Sequence, residues 1–534
     1  MKTTIKNLIL SAVLVVGGAS CVDLDTAPYD RETDLTYWEE DPEAAVKALN
    51  TCYTYLGNMD EQLYCEAMTD NAYTKQPNDA TQNIGNGSYS TADPYVKKVW
   101  DGRYTGIRMC NELLENIDRV PDLDPELKKR YIGEAKVLRA YNYYELYTKF
   151  GDVPYTTKVL SIKESMSIAR TAKATVIANV LADLDEVING NYLPTSYDAD
   201  NKGRITRWTA MAIKAKIYLF EGNWTQVKNI TSTIMTEGGF KLFGSYAGLF
   251  EIANEYNSEV ILDAQYRPTS REHQMMYVFL PPTLGGYSQL SPLQELVDSY
   301  IMLDGKTIKE TGTSFDESHP YANRDPRLKA TVMYTGNSYT LADGTEVVIN
   351  CEKGEGKDGY GVGSDCSATG YYIKKYWDNT YRATLYSGLN PILIRYADIL
   401  LMNAEALAEL GELDKTAWDA TIKPIRDRAG FTLASAVEFP EGASKDKLIE
   451  IVRNERRSEL ALEGHRHKDI IRWRIADDVL NGWCHGLKTN EVVGTDNGYV
   501  RVENRAFNAN KHYLWPIPQA ERDLNGNLVQ NPNW

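Results

Sequence analysis

The chain has 534 residues, 43% hydrophobic and 25% charged, an ordinary composition for a folded protein with enough length for two or more domains' worth of core. With 58 Lys and Arg against 74 Asp and Glu, its formal net charge is -16. That balance argues against a phosphate backbone as partner, because nucleic-acid binders concentrate cationic side chains; it fits a neutral ligand or a basic protein. Tyrosine is the one compositional oddity, 36 Tyr against 10 Phe. A tyrosine carries a flat apolar face and a hydroxyl, which suits half-wet surfaces and amphipathic ligands, although many simply cover helix surfaces.

At the N-terminus, Lys2 and Lys6 form a short basic region, and Leu8 to Val16 is an apolar run too short to span a bilayer. The small residues Ala19 and Ser20 precede Cys21, as a signal peptidase requires. The junction resembles a bacterial lipobox, in which the thiol takes the lipid, and departs from it at Gly18, where Leu is usual. The expected layout is a signal peptide over 1–20 and a lipidated tether over 21–40, with an ordinary secretory signal as the alternative. Two or more acyl chains would anchor stably where one does not. No later stretch holds 18 apolar residues, so the mature chain is expected to sit on a membrane rather than through it. The remaining cysteines, Cys52, Cys65, Cys110, Cys351, Cys366 and Cys484, show no C-x-x-C spacing, which argues against zinc. In an exported protein Cys351 and Cys366 are candidates to pair, though buried free thiols are the simpler expectation in a core this large.

Helical patterns follow. From Pro125, Leu127, Tyr131, Ala135, Leu138 and Tyr141 recur at steps of four and three along one face, and Gly151 and Pro154 end the run. Trp100 leads into a helix and reads as core. Trp208, Ala212, Ala215 and Leu219 line one helix, Gly222 breaks it, and Val227, Ile230 and Ile234 line the next. The segment from Arg395 repeats the design, a helix through Leu410, a break at Gly411 and a second helix carrying Trp418. These units resemble degenerate tetratricopeptide hairpins, each with an apolar face that only a neighbour can bury. Between about Gly239 and Pro391 the pattern changes: "SEVILDAQY" reads as a strand, while Gly, Pro, Asn and Asp become dense. The insert from Tyr73 to Tyr95 has the same loop-like, tyrosine-rich character. A rigid helical scaffold with long loops is where ligand contacts are expected.

Near the C-terminus "NERRSELALEGHRHKDIIRW" packs three glutamates, two histidines and an aspartate into twenty residues. On a helix over Leu448 to Glu463, Glu455 and Glu459 extend the stripe of Leu448, Ile451, Val452 and Leu462. A glycosidase pair would act across a sugar in a cleft, whereas two carboxylates on an inward stripe, beside Arg456, Arg457, Arg466, Arg472 and Arg474, read as a structural ion network. His465 and His467 stand two apart with no H-E-x-x-H spacing, so neither reads as a metal ligand. "DADNKGRITRWT" places Asp198, Asp200 and Gly203 as a calcium loop would, but Lys202 and Thr209 occupy positions that need acidic ligands.

The same block looks like the signature of SusD/RagB outer-membrane lipoproteins. "GEAKVLRAYNYYELYTKFGDVPY", "LPTSYDADNKGRIT", "NPILIRYADILLMNAEALAE" and the closing "YLWPIPQAERDLNGNLVQNPNW" match its other blocks in family order. The resemblance implies a mainly α fold, about four tetratricopeptide-like helix hairpins packed against an irregular loop-rich region with a few short strands. It divides the chain into an N-terminal helical part, 41–240, and a C-terminal part, 241–534, with a loop-rich insert about 305–390. It implies a lipid-anchored protein on the outer face of the outer membrane that caps a SusC-like TonB-dependent transporter and hands it oligosaccharides, without catalysis. No cofactor and no nucleic acid are expected, and a structural calcium stays open. Import of peptides is the nearer alternative, an exported glycoside hydrolase using Glu455 and Glu459 the more distant one, and a pure interaction scaffold a third. Sugars offer C–H faces to aromatic rings and hydroxyls to polar side chains. On that ground, transferred by region, Asp70, Asn71, Tyr73, Tyr89, Tyr95, Tyr287, Trp377, Asp378 and Arg382 are the candidate ligand contacts, and Cys21 the lipidation site.

Overall fold

The computed structural model describes residues 33–76 and 80–534. The expected signal peptide, Cys21 and most of the expected tether lie outside the described residues. The fold begins inside the stretch assigned to the tether: Asp34–Glu40 is a helix, capped by the Thr33 side chain, with Trp38 buried.

Eight helices, four pairs' worth, stack each on the next: α1 Ala44–Tyr53, α2 Pro94–Asn116, α3 Pro125–Phe150, α4 Lys173–Asn189, α5 Arg207–Phe220, α6 Trp224–Glu237, α7 Tyr396–Leu410 and α8 Lys445–Glu459. Local chemistry sets their ends. Asp93 and Asp124 accept hydrogen bonds from the first-turn amides of α2 and α3, each followed by Pro in the first turn, where its missing N–H costs nothing. Gly411 (φ 73°) closes α7 in the left-handed conformation that residues with a Cβ resist. The single apolar face expected for α3 is an underestimate. Its second half is buried almost all round, because α1, α2 and α4 each pack on it. Trp100, on α2, is core as expected.

The strands are short staples rather than a sheet layer. β1 Ala72–Thr74 pairs antiparallel with β3 Leu290–Pro292 in the register Tyr73 to Ser291. The "SEVILDAQY" strand is β2 Val260–Asp263, paired with β8 Ile392–Arg395 just before α7. In the insert, β4 Val332–Met333 pairs with β7 Tyr372–Ile373, and β5 Ser338–Thr340 with β6 Glu346–Val348. β9 Asn481–Lys488 and β11 Tyr499–Ala506 form a bulged hairpin edged by β10 Thr495–Asp496.

Two large cores result. The first fills the stack from α1 to α6 and takes Trp515 and Ile517 from the C-terminal motif. The second gathers Leu63, Phe279, Leu296, Tyr300, Tyr339, Tyr371, Tyr372 and Tyr376. The insert is therefore not a set of wandering loops; several of its tyrosines are its own core. The six described cysteines are free thiols, so Cys351 and Cys366, both buried, do not pair. Among the described residues no helix is long and apolar enough to cross a membrane.

Candidate functional site

The acidic signature folds into a buried ion lattice. α8 stops at Glu459 rather than running on to Glu463, because Leu462 (φ 64°) and Gly464 (φ 78°) turn the chain left-handed. Glu459 meets Arg327 at 2.9 Å, Arg395 at 2.6 Å and Arg428; Glu455 meets Arg327 and Arg426, each at 2.7 Å. The turn returns Glu463 to Arg395 at 2.7 Å and to Lys375 at 2.5 Å. Burial alone would raise the Glu455 and Glu459 carboxyls, but the surrounding guanidiniums reverse this and hold both below the usual range. Burial pushes the His465 and His467 imidazoles down to about 3, which leaves them neutral. His467 packs its ring against Trp515. Among the described residues no group of three or more His, Cys, Asp or Glu side chains could hold a metal ion.

Four of the nine candidate contacts are buried and engaged within the frame. Asp70 is buried and takes a two-toothed bond from Arg466, 2.8 Å to each oxygen, with Arg457 at 2.9 Å; the two guanidiniums overcome its burial and hold its carboxyl well below the usual range. Asn71 accepts from Arg457 Nε and donates to Glu66. Tyr89 is buried between His512 and Trp534, ring centroids 5.1 and 4.8 Å away. Asp378 caps the turn Asn379–Tyr381 and accepts from the Ile252 amide at 2.7 Å, so its buried carboxylate is spent on backbone.

The other five are half-buried or exposed. Tyr73, half-buried on β1, accepts at its hydroxyl from Gln82. Tyr95 opens α2 with its ring against Trp515 and lines a charged cavity with Tyr141, Tyr144 and Arg103. Trp377 is half-buried over the β5–β6 hairpin, its indole donating to the Thr340 carbonyl at 3.1 Å. Arg382 is exposed. Tyr287 is 44% exposed.

Tyr287 is the one candidate found in an aromatic cluster at the surface, and its partners escaped the sequence reading. Its ring stacks on Tyr277, centroids 5.5 Å apart and planes 18° apart; Tyr386, 40% exposed, meets Tyr277 edge-on at 5.9 Å. Two glycines build the stack. Gly285 (φ 88°) reverses the chain after Leu284, and a Cβ on Gly286 would lie 2.1 Å from the Leu280 carbonyl. That approach lets the Tyr287 amide donate to the Tyr277 carbonyl at 2.8 Å, one ring above the other. His273 and Ser387 exchange backbone bonds of 2.9 Å and pin the loop of Tyr386 to the same helix turn, Met275–Phe279. Leu385 is buried beneath, while Arg382 and Thr384, on the same loop, remain exposed and supply polar groups. The platform thus combines ring surface, which receives C–H faces, with hydrogen-bonding groups, the composition that a carbohydrate site needs. The doublet Gly285-Gly286 before Tyr287 was the signal available in sequence; Tyr277 sits inside an apolar run and gave none.

Comparison with known proteins agrees with this architecture. The pattern of the SusD family matches residues 249–534, and a second, described as starch-binding associating with outer membrane, matches residues 37–219. A SusD-like protein of Formosa agariphila is 27% identical over 99% of this chain and 98% of its own length. One of Bacteroides ovatus is 22% identical over 92% and 88%. Among solved structures, a SusD-like carbohydrate-binding protein of Bacteroides fragilis superposes with a TM-score of 0.81 at 28% identity, covering 92% of this chain and 100% of that one. A laminarin-binding SusD-like protein shares the fold at a TM-score of 0.68 and 24% identity, covering 92% and 99%. With the helix stack, the signature lattice and the C-terminal motif all in place, the chain belongs to the SusD family.

Proposed function

We propose that this protein is a surface lipoprotein that captures a glycan and delivers it to a SusC-like TonB-dependent transporter of the outer membrane, without cutting it. The observation that carries the reading is the exposed stack of Tyr277 and Tyr287 with Tyr386 beside it, on a frame whose other loop tyrosines are mostly buried. Membership of the SusD family and the carbohydrate-binding relative from Bacteroides fragilis support it. Cys21, with the small residues before it, is the proposed site of lipid attachment. The engagement of Glu455 and Glu459 with four arginines argues against the hydrolase alternative, because neither carboxylate has a solvent-filled space in which to meet a sugar.

The test is calorimetry of the purified protein against neutral polysaccharides and mixed peptides, alongside an assay for released reducing ends. Saturable binding of one polysaccharide class, with no new reducing ends, is expected. Binding confined to peptides, or hydrolysis abolished by Glu455→Gln in a folded protein, would overturn the reading.

A further inference from the structure

The insert and the β9–β11 hairpin enclose a second open cavity of about 940 Å³, within the size range of small-molecule sites. Its floor is fixed where Leu487 of β9 donates its amide to the Thr369 carbonyl at 2.7 Å. A Cβ on Gly370 would lie 1.6 Å from the Leu487 side chain, so the two walls touch there and diverge above. One wall carries Tyr321 and Tyr334, stacked with centroids 4.0 Å and planes 19° apart, both half-buried. Behind them the Tyr321 hydroxyl lies 3.2 Å from that of Tyr371, which donates to Gln294 at 2.6 Å, so the stack is held from below. The other wall presents Tyr499, half-buried, with the Lys488 ammonium 5.5 Å from its ring centre.

Two ion pairs bridge the mouth. Lys488 of β9 reaches Glu317 of the insert at 2.5 Å, and Lys353 of the insert reaches Glu491 beyond β9. All four side chains are substantially exposed, so water and salt weaken the pairs and sugar hydroxyls can compete for them. Glu352 and Glu355 also line the cavity, so four carboxylates face two ammonium groups. The resulting negative field disfavours uronates and sulfated sugars.

We propose that this cleft is a second saccharide site, separate from the Tyr277–Tyr287–Tyr386 platform, and that it accepts uncharged chains only. The proposal rests on the reading that the protein binds glycans, and it adds a location and a charge class. Rings on facing walls would hold a sugar chain by its C–H faces, while the bridging Lys and Glu groups bond its hydroxyls. Two sites on one protein would also raise the affinity for a polymer long enough to reach both over that for a short oligosaccharide.

Hydroxyl-radical footprinting reads the two sites independently. The purified protein is exposed to radicals alone, with laminarin, with soluble starch, with xylan and with polygalacturonate, and modification is followed at Tyr334 and Tyr499 and at Tyr287 and Tyr386. A neutral polymer is expected to slow modification at both pairs, by roughly threefold as half-exposed rings become covered, and polygalacturonate at neither. Protection at Tyr287 and Tyr386 alone overturns the cleft proposal and leaves the platform reading standing. Protection at Tyr334 and Tyr499 alone upholds the cleft and overturns the platform; no protection by any neutral polymer overturns both. Protection of the cleft by polygalacturonate overturns the charge assignment. In the Glu317→Lys, Glu491→Lys double variant, polygalacturonate should begin to protect Tyr499, and its failure to do so also counts against that assignment.

Discussion

Tyr287 and Tyr386 each keep about two fifths of their surface in solvent, although the fold has room to bury tyrosine elsewhere in the insert. The exposed part of each ring adds nothing to the packing that the stack already supplies, so its loss should be felt chiefly in binding. Tyr287→Ala and Tyr386→Ala are each expected to weaken the cognate polysaccharide by about 1–2 kcal/mol, roughly 5–30-fold, the scale of a truncated contact residue. Phe at either position should retain most of the affinity, because the ring face and not the hydroxyl carries the contact. Calorimetry on variants with unchanged melting temperature decides it, and equal affinity in the alanine variants would remove the platform from the site. Glu66 poses the opposite case, a buried carboxyl that serves only the fold. It accepts from the Gly464 amide and from Asn71 Nδ2, both at 2.8 Å, and burial nonetheless pushes its pKa up to about 7. The folded state thus holds this proton to a higher pH than the unfolded chain, whose carboxyl titrates near 4.5. Its contribution favours the fold below about pH 4.5 and is lost as pH rises through about 7, by at most roughly 3 kcal/mol for a shift of this size. Asp263, pushed up to about 7 by burial, slopes the same way. Thermal melts from pH 5 to 8 should show the wild type losing stability faster than Glu66→Gln; parallel curves would show that the carboxyl is already ionised at pH 5.

At the scale of the element, α8 shows what a sequence reveals and what it withholds. Two glutamates on an apolar helical stripe cannot be buried alone, so an arginine network around Glu455 and Glu459 was legible. Its membership was not. Arg457, the immediate neighbour, turns away to Asp70, while Arg327, Arg395 and Arg428 come from segments distant in the chain. The same blindness to long-range partners made Asp70 and Asn71 look like sugar ligands: a polar pair beside a tyrosine reads the same whether water or arginine faces it. The end of α8 was missed because Leu462 adopts a left-handed conformation that leucine ordinarily avoids, held by partners distant in the chain: Tyr376 donates to the Leu462 carbonyl at 2.9 Å, and Glu463 bonds Arg395 and Lys375. Breaking one partner of a buried charge cluster strands the others, at about 3–5 kcal/mol. Glu459→Gln should therefore lower the melting temperature sharply, and Glu455→Gln with Glu459→Gln should prevent folding. Circular dichroism on the double variant checks this, and a native-like melt would refute the structural role of the pair.

For the whole molecule, the helix stack was legible because its signals are local: a period of 3.6, proline starts and glycine stops. The second core was not, because Tyr339, Tyr371, Tyr372 and Tyr376 look the same in sequence as tyrosines on show. Nor does sequence order reveal how the two ends interlock. Trp515 fills the first core against Phe150 at the end of α3, centroids 5.8 Å apart. Asn531 donates to the carbonyls of both Phe150 and Trp515, at 2.9 and 2.7 Å, while Arg170 reaches back to the Val529 carbonyl and to Asn531, each at 2.6 Å. The last twenty residues are thus packed into the first helices, and the signature lattice ties α7 and α8 to the insert. A chain closed on itself in this way should unfold as one unit despite its length. Trp515→Ala removes a fully buried indole and should cost about 3–5 kcal/mol. If the halves are coupled, that loss appears equally in both: amide hydrogen exchange at buried positions of the second core, such as Tyr339 and Tyr372, and of the helix stack, such as Leu138 and Ile213, should accelerate together. Faster exchange in the helix stack alone would show that the C-terminal motif stabilises the first core alone and that the two cores fold independently.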